Sequence, residues 1–353
     1  MNSRSAPNVK RSAPSATTLF DAFEDHDFSL TTCFLCGKRL DAKTRSDEHV
    51  FAQWMLRRFD LHNARLVLLN GTSIPYRQLT IPCCTRCNNE HLSKIEGRVR
   101  EVIEGARPIE SLDEKTLYLW SSKIFYGLLY REVLLPMERS LHGNSASIVS
   151  IDEIQRYKIL HVFLQAARLP VRFDSFDSKF PASVFAFKTQ QPRTLRAQFE
   201  FRDDIRHATL YLRLGEVEVL AAFDAGAQAF EWQRLYRKYQ RFRLHPIQLE
   251  ELAAAMFYKA SLFDRTPKLM ISGDARRGYR VFIMPIAGLS TKPVFKPWDR
   301  NAFAEYLSTF TGLPAELLAP DGAAGGVLTY MTRPDSNRFN RMDIRKFPWR
   351  GVP

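Results

Sequence analysis

The chain has 353 residues, 45% of them hydrophobic and 25% charged, which is the composition of a globular protein with room for two domains. Lys and Arg number 51 against 38 Asp and Glu, and the formal net charge of +13 favours a polyanionic partner such as nucleic acid. No run of 18 apolar residues occurs and residues 1–20 lack the apolar core of a secretory signal, which argues against a membrane protein.

The N-terminal segment, residues 1–18, is rich in Ser and free of acidic residues, and we predict a disordered basic tail. Pro7 and Pro14 would break the amphipathic helix that a transit peptide needs. Beyond this tail we predict two domains. The first covers residues 19–110, and the second covers residues 111–353, where cysteine is absent.

The first domain contains short elements. Residues 46–51 are extended, and residues 52–61 have the apolar spacing of a helix. Asn70-Gly71 predicts a hairpin turn between two short strands, because both residue types tolerate a positive φ. A helix with an apolar stripe then begins near Asn88.

The second domain mixes helices with period-two strands. Its predicted elements are helices at 113–135 and 152–169, three or four antiparallel strands over 183–223, helices around 227–243 and 247–263, a strand at 276–286 and a helix at 299–312. The predicted fold class is therefore α+β, with a small N-terminal domain followed by a larger α+β domain that contains an antiparallel sheet.

All five cysteines lie between residues 33 and 87. Two C-x-x-C pairs have the spacing of one tetrahedral zinc site, and a closed site of four sulfurs is structural because it leaves no open position. The pairs are formed by Cys33, Cys36, Cys84 and Cys87. Cys83 is left out because it would change the second spacing. Paired thiols without a signal peptide indicate a reducing compartment, so we expect a cytoplasmic protein.

An acidic pair followed by a histidine, Asp47-Glu48-His49, stands between the two cysteine pairs. Asn88 directly follows the last cysteine, and His91 lies one helical turn further along. We expect zinc binding to bring Glu48, His49, Asn88 and His91 into one pocket. Oxygen ligands there would hold a divalent ion, and a free imidazole would take a proton from water, which together hydrolyse a phosphodiester. The alternatives are a structural role for His49 and a helix cap for Asn88.

The order C-x-x-C, acid-His, C-x-x-C-Asn resembles that of the HNH endonucleases, whose catalytic core is the ββα-metal (His-Me finger) fold. The resemblance covers residues 30–105. It implies His49 as the general base, and Glu48 and Asn88 as ligands of a catalytic Mg²⁺ or Mn²⁺. It implies DNA more than RNA as the substrate. It also implies four structural zinc ligands, Cys33, Cys36, Cys84 and Cys87.

The chain departs from the usual HNH pattern at several positions. Glu48 stands where the family more often has Asp, which makes Asp47 a rival ligand. His91 occupies the place of a common lysine and would be either a third ligand of the catalytic ion or a phosphate contact. No Asn shortly precedes the second cysteine pair, so Asn63 or Asn70 would have to orient the base.

A second basic feature lies in the larger domain, in the stretch EWQRLYRKYQRFR at residues 231–243. On a helix its aromatic residues fall mostly on one face and its cations on the other. The cations proposed as nucleic-acid contacts are Arg234, Arg237, Lys238 and Arg241. The alternative is an ordinary solvated basic face.

These features predict a metal-dependent endonuclease that hydrolyses phosphodiester bonds, with DNA favoured as substrate. Standalone HNH nucleases of this layout often resemble bacterial restriction or anti-phage effectors. One alternative is a zinc-dependent nucleic-acid-binding protein without cleavage activity, and another is a protein-interaction module. The sequence contains no Walker A loop and no G-x-S-x-G elbow, which argues against a nucleotide-driven motor and an α/β-hydrolase.

Overall fold

The structure, a computed structural model, mixes helices with antiparallel strands, so the predicted α+β class is confirmed. It describes residues 18–24, 28–138, 146–175, 181–265, 268–274, 276–286, 292–320, 326–336 and 338–349. The predicted disordered tail, apart from Thr18, lies outside these residues. Among the described helices, none is both long and apolar enough to cross a membrane.

The N-terminal part is organised by two strands that are distant in sequence and pair antiparallel, β1 and β4. Its elements are β1 (Arg45–His49), α1 (Gln53–Arg58), β2 (Arg65–Val67), β3 (Ser73–Pro75), β4 (Thr80–Cys84), a π-helical turn (Cys87–Leu92) and α2 (Ser93–Ile103). The predicted hairpin is confirmed, since β2 pairs with β3 and Gly71 has a φ of +77°. The predicted extended segment, helix and later helix correspond to β1, α1 and α2.

A long helix, α3 (Glu114–Val133), lies at the centre of the molecule. Asp113 caps it by accepting a hydrogen bond from the backbone N–H of Thr116 at 2.7 Å. All but three of its 20 residues are buried, because α2, β4 and a strand of the larger sheet pack around it. Such burial explains why the sequence of α3 is apolar on nearly every face.

The remaining elements form two sheets and their covering helices. They are α4 (Ile151–Gln155), α5 (Lys158–Leu164), β5 (Val171–Ser175), β6 (Ser183–Thr189), β7 (Phe199–Asp204), β8 (Thr209–Leu214), β9 (Val217–Ala222), α6 (Ala227–Gln240), β10 (Arg243–Leu244), α7 (Pro246–Ser261), β11 (Leu269–Asp274), β12 (Gly278–Ile283), α8 (Arg300–Thr311) and α9 (Ala315–Leu318). The strand orders are β10-β6-β9-β8-β7 and β11-β12-β5. The pairs β10–β6 and β12–β5 are parallel, and the others in these sheets are antiparallel.

The five-stranded sheet divides the interior into two cores, because side chains alternate between its faces. Leu210 and Leu212 of β8 join the core that contains α3 and the cysteine-rich region. Phe185 of β6 and Tyr211 of β8 join the core on the opposite face, which contains residues of α6, α7 and α8. Helix α6 therefore lies across the sheet from the cysteine-rich region.

The first of these cores is continuous across residue 110, the predicted domain boundary. It joins buried residues of the cysteine-rich region to α3 and to strands β6, β8 and β9, so the N-terminal part packs on the rest of the chain. The single helix predicted over residues 152–169 is wrong. The chain forms α4, α5 and a 3₁₀ turn at Gln165–Ala167, and α4 ends at Gln155, three residues before α5 begins at Lys158.

Candidate active site beside a four-cysteine cluster

Four buried thiols lie close enough together to bind one metal ion. The sulfur atoms of Cys33, Cys36, Cys84 and Cys87 all lie within 4.8 Å of one another. The Sγ atoms of Cys36 and Cys84 are 3.8 Å apart. A tetrahedral zinc with bonds of about 2.3 Å places its sulfurs about 3.8 Å apart, so the donor set fits structural zinc.

The first cysteine pair sits in a tight turn that Gly37 closes. The backbone N–H of Gly37 donates to the carbonyl of Cys33 at 2.9 Å, and the N–H of Cys33 donates to Lys38 at 2.9 Å. Gly37 has a φ of +71°, and an added Cβ would lie 2.3 Å from the ring of Phe20. Only glycine fits this turn without strain. The turn thus directs the sulfur atoms of Cys33 and Cys36 toward the same candidate metal position.

Residues beyond the predicted boundary hold this turn in place. His161 donates from Nε2 to the carbonyl of Phe34 at 2.7 Å, and Arg168 donates from Nε to the carbonyl of Leu35 at 3.2 Å. Burial lowers the pKa of His161 to about 4, so its imidazole is neutral. The backbone between Cys33 and Cys36 is therefore anchored to the segment that follows α4.

The fifth cysteine lies beside the cluster without belonging to it. The Sγ of Cys83 is 4.0 Å from that of Cys33, whereas the closely spaced group consists of the other four. The backbone N–H of Cys87 donates to the Sγ of Cys84 at 3.4 Å, a contact that stabilises a thiolate. The arrangement agrees with the ligand set derived from spacing.

Two of the predicted catalytic-ion ligands, Glu48 and Asn88, lie on one face of β1, although only Glu48 belongs to the strand. Ser46 and Glu48 alternate onto the same face of the strand. Asn88 donates from Nδ2 to the Oγ of Ser46 at 2.8 Å, which brings Asn88 to that face. Oδ1 of Asn88 has no hydrogen-bond partner among the described residues, whereas the Glu48 carboxyl group lies against both Lys123 and Glu96. Asn88 and Glu48 therefore lie on the same side of β1.

One oxygen of Glu48 binds a lysine that the sequence analysis did not single out. The Nζ of Lys123, on α3, lies 2.6 Å from Oε1 of Glu48 and 2.6 Å from Oε1 of Glu96. It also donates to the carbonyl oxygens of His49 and Val50, at 2.6 and 3.1 Å. The sequence held a signal for this residue, because Lys123 lies in the apolar middle of α3, between Lys115 and Arg131 near its ends, and a charge buried there needs a partner.

This buried cluster changes the ionisation of its members. Burial raises the pKa of Glu48 to about 7 against the attraction of Lys123, and the carboxylate of Glu96 adds to the rise. Burial disfavours the Lys123 ammonium, but Glu48 and Glu96 together raise the pKa of Lys123 above its ordinary value. Lys123 is therefore a permanent cation at this position, shared between two carboxyl groups.

Asp47 points to the opposite face of β1 from Glu48, and His49 is the last residue of the strand, close enough to Lys123 and Glu96 to feel their charges. The His49 ring is half-buried and makes no hydrogen bond with a described residue. Burial and the nearby charge of Lys123 lower the pKa of His49, so the imidazole is neutral and able to accept a proton. Asp47 is exposed and pairs with Arg45 at 3.1 Å, away from Asn88, which leaves Glu48 as the carboxylate on the Asn88 side.

His91 lies in a different setting from Glu48 and Asn88. It lines a groove between α2, the start of α3 and the 3₁₀ turn before Arg168, and neither Glu48 nor Asn88 lines that groove. In the π-helical turn the N–H of Ser93 bonds to the carbonyl of Asn88, five residues earlier. The helix is therefore wider than an α-helix, and residues three apart, such as Asn88 and His91, do not lie directly above one another. The expected single pocket therefore does not include His91, and its position is compatible with the phosphate-contact alternative.

The two asparagines proposed to orient the base are engaged elsewhere. Asn63 accepts a hydrogen bond from Arg77, and Asn70 holds its own hairpin by accepting from the backbone N–H of Thr72 at 3.0 Å. Asn70 also donates to the carbonyl of Met137 at 2.9 Å. Both side chains therefore have hydrogen-bond partners other than His49.

The basic residues proposed on α6 are exposed, as a solvated or substrate-binding face requires. None of the four makes an ion pair with a described residue. They are Arg234, Arg237, Lys238 and Arg241. Because α6 lies across the five-stranded sheet from β1, these cations are remote from Glu48 and His49.

No protein-family model, no curated protein and no solved structure matches this chain.

Proposed function

We propose that this protein is a metal-dependent nuclease of the HNH type that hydrolyses phosphodiester bonds in DNA. The observation that carries the proposal is the placement of Glu48 and Asn88 on one side of β1, beside four clustered thiols. The chain order of β1, β4 and the following helix is also the order of a ββα-metal core.

In this proposal each residue has one task. Cys33, Cys36, Cys84 and Cys87 hold a structural zinc that fixes β4 and the helix start. Glu48 and Asn88 hold a catalytic Mg²⁺ or Mn²⁺, which when bound stabilises the charge that develops on the phosphate and the leaving oxygen. Lys123 fixes the orientation of Glu48 through one carboxylate oxygen. His49, with a free neutral ring, accepts the proton of the attacking water.

One observation favours the alternative, a zinc-dependent nucleic-acid-binding protein without catalysis. Glu48 is only 4% exposed and already has the Lys123 ammonium as its partner. A carboxylate satisfied by a buried lysine needs no divalent ion to be stable. In that case the group formed by Glu48, Lys123 and Glu96 is structural, and the four-cysteine site stabilises a surface that binds nucleic acid.

Cleavage in the presence of a divalent ion separates the two functions. We expect zinc-loaded protein to nick and then linearise a supercoiled plasmid when Mg²⁺ or Mn²⁺ is added, and to leave it intact without either ion. RNA of matched length is incubated in parallel to test the preference for DNA. An intact plasmid and intact RNA under every metal condition, with binding retained, would establish the non-catalytic alternative.

The role of Asn88 predicts a change in metal requirement. Replacing Asn88 with alanine removes the amide oxygen, so we expect the Mg²⁺ concentration for half-maximal cleavage to rise about tenfold or more. The matched control is Asn89→Ala, because Asn89 is the exposed neighbour in the same π-helical turn. Equal metal requirements in the two variants would show that Asn88 is only part of the helix start.

A further inference from the structure

The groove that His91 lines has a cationic rim and an apolar floor. Its volume is about 320 Å³. Lys94 and Arg98 of α2 and Lys115 of α3 stand on the rim, and Leu119 and Ala166 lie among the lining residues of the floor. All three cations are exposed. A channel of this kind fits a chain of phosphates, because basic side chains track a nucleic-acid backbone along an open groove.

The acidic residues of the groove are already compensated. Glu90 pairs with Arg86 at 3.4 Å. Asp113 accepts hydrogen bonds from the N–H and the hydroxyl of Thr116, at 2.7 and 2.9 Å, at the positive end of α3. Lys94 and Lys115, by contrast, have no ion-pair partner among the described residues. Arg98 makes one long contact, 3.5 Å, with the hydroxyl of Thr116. The rim therefore has positive charge to offer to an anionic ligand.

The groove and the candidate active site share two helices. Lys115, on the groove, and Lys123 are eight residues apart on α3, which is about 12 Å along the helix axis. On α2, Glu96 contacts Lys123, while Lys94 and Arg98, two residues before and after Glu96, point to the opposite side of the helix and line the groove. The two sites therefore lie on opposite sides of α2.

The other exposed basic surface does not have this relation to the site. The cations of α6 lie beyond the five-stranded sheet, on the face that packs against the second core. A duplex seated over β1 would extend along α2 into the groove without crossing the sheet. The groove and α6 carry similar positive charge, so their positions relative to β1 decide which of them is the DNA contact.

We infer that this groove binds the sugar-phosphate backbone of a DNA duplex, with Lys94, Arg98 and Lys115 as the phosphate contacts. The inference rests on the proposed function for the identity of the ligand. His91, in the π-helical turn at the edge of the groove, contacts the same strand.

Binding measured apart from cleavage tests the inference. The double substitution Lys94→Gln and Lys115→Gln is compared with Arg234→Gln and Arg237→Gln on α6, which removes the same charge from the remote surface. All proteins carry His49→Ala so that the DNA stays intact. The affinity for a labelled duplex is measured by fluorescence anisotropy between about 50 and 200 mM salt, where phosphate contacts determine the salt dependence.

We expect the groove variant to bind about tenfold more weakly, at roughly half a decade for each phosphate contact, and to lower the salt slope by about two. The α6 variant should bind within about twofold of the unsubstituted protein. Equal losses in the two variants, no loss in the groove variant, or a loss seen only with RNA would overturn the inference. Absence of cleavage by the protein with native His49 refutes the proposed function separately, because this assay reads binding alone.

Discussion

Replacement of Cys84 with serine is expected to abolish stoichiometric zinc binding and to unfold the N-terminal part of the chain. Zinc binding contributes about 10–16 kcal/mol in small zinc domains, which is comparable with the whole stability of about 5–15 kcal/mol typical of a native protein. The four ligands lie in the core that is continuous with α3, so their loss also loosens the packing around Lys123. Zinc content by elemental analysis and unfolding by calorimetry measure the effect.

Cys83 supplies the matched control for this experiment. Cys83 is as buried as Cys84, and its Sγ lies 4.0 Å from that of Cys33, but it lies outside the group of four sulfurs. The variant Cys83→Ala should keep one zinc per chain and lose only about 1–2 kcal/mol, as expected for a small change in the core. A protein that keeps zinc as Cys84→Ser and loses it as Cys83→Ala would reverse the assignment of the ligands.

Replacement of Lys123 with methionine is expected to destabilise the folded protein by about 3–5 kcal/mol, because it leaves the buried Glu48 and the partly buried Glu96 without their cation. The carbonyl oxygens of His49 and Val50 lose the same donor. Unfolding in urea measures the loss. Combining Lys123→Met with Glu48→Gln should recover part of it, since removing both charges costs less than removing one.

Lys115→Met is the control on the same helix. Lys115 is exposed and makes no ion pair with a described residue, so its replacement should change stability by less than about 0.5 kcal/mol. A similarly small effect of Lys123→Met would mean that the buried cluster does not hold β1 against α3. Glu48 would then lack the fixed orientation on which its proposed role depends.

The sequence predicted the elements of this fold well where local signals are strong. The spacing within each C-x-x-C pair identified the four clustered thiols, and Asn70-Gly71 identified the hairpin, because each pair and the turn involve residues close together in the chain. The period-two segments over residues 183–223 correspond to β6, β7, β8 and β9. These features require no knowledge of distant packing.

Contacts between residues distant in the chain could not be predicted from these local patterns. Lys123 lies 75 positions from Glu48, and nothing in the local pattern of either segment indicates that they pair. Strands β5 and β11 were not predicted, and they form a sheet only through β12. The position of His91 depends on a π-helical turn, a feature that helical periodicity does not anticipate. The sequence thus predicted the residues proposed for catalysis, but not the contacts that hold them in the folded chain.

The cleavage rate of the His49→Ala variant tests the central claim most directly. Single-turnover rates on a DNA duplex are compared among the wild type, His49→Ala and His62→Ala, an exposed histidine near His49 that has no proposed role. Loss of a general base should slow His49→Ala about 10²–10⁴-fold, while His62→Ala keeps the wild-type rate and all three keep zinc. Equal rates in the wild type and His49→Ala, or no cleavage by any of the three, would contradict the account.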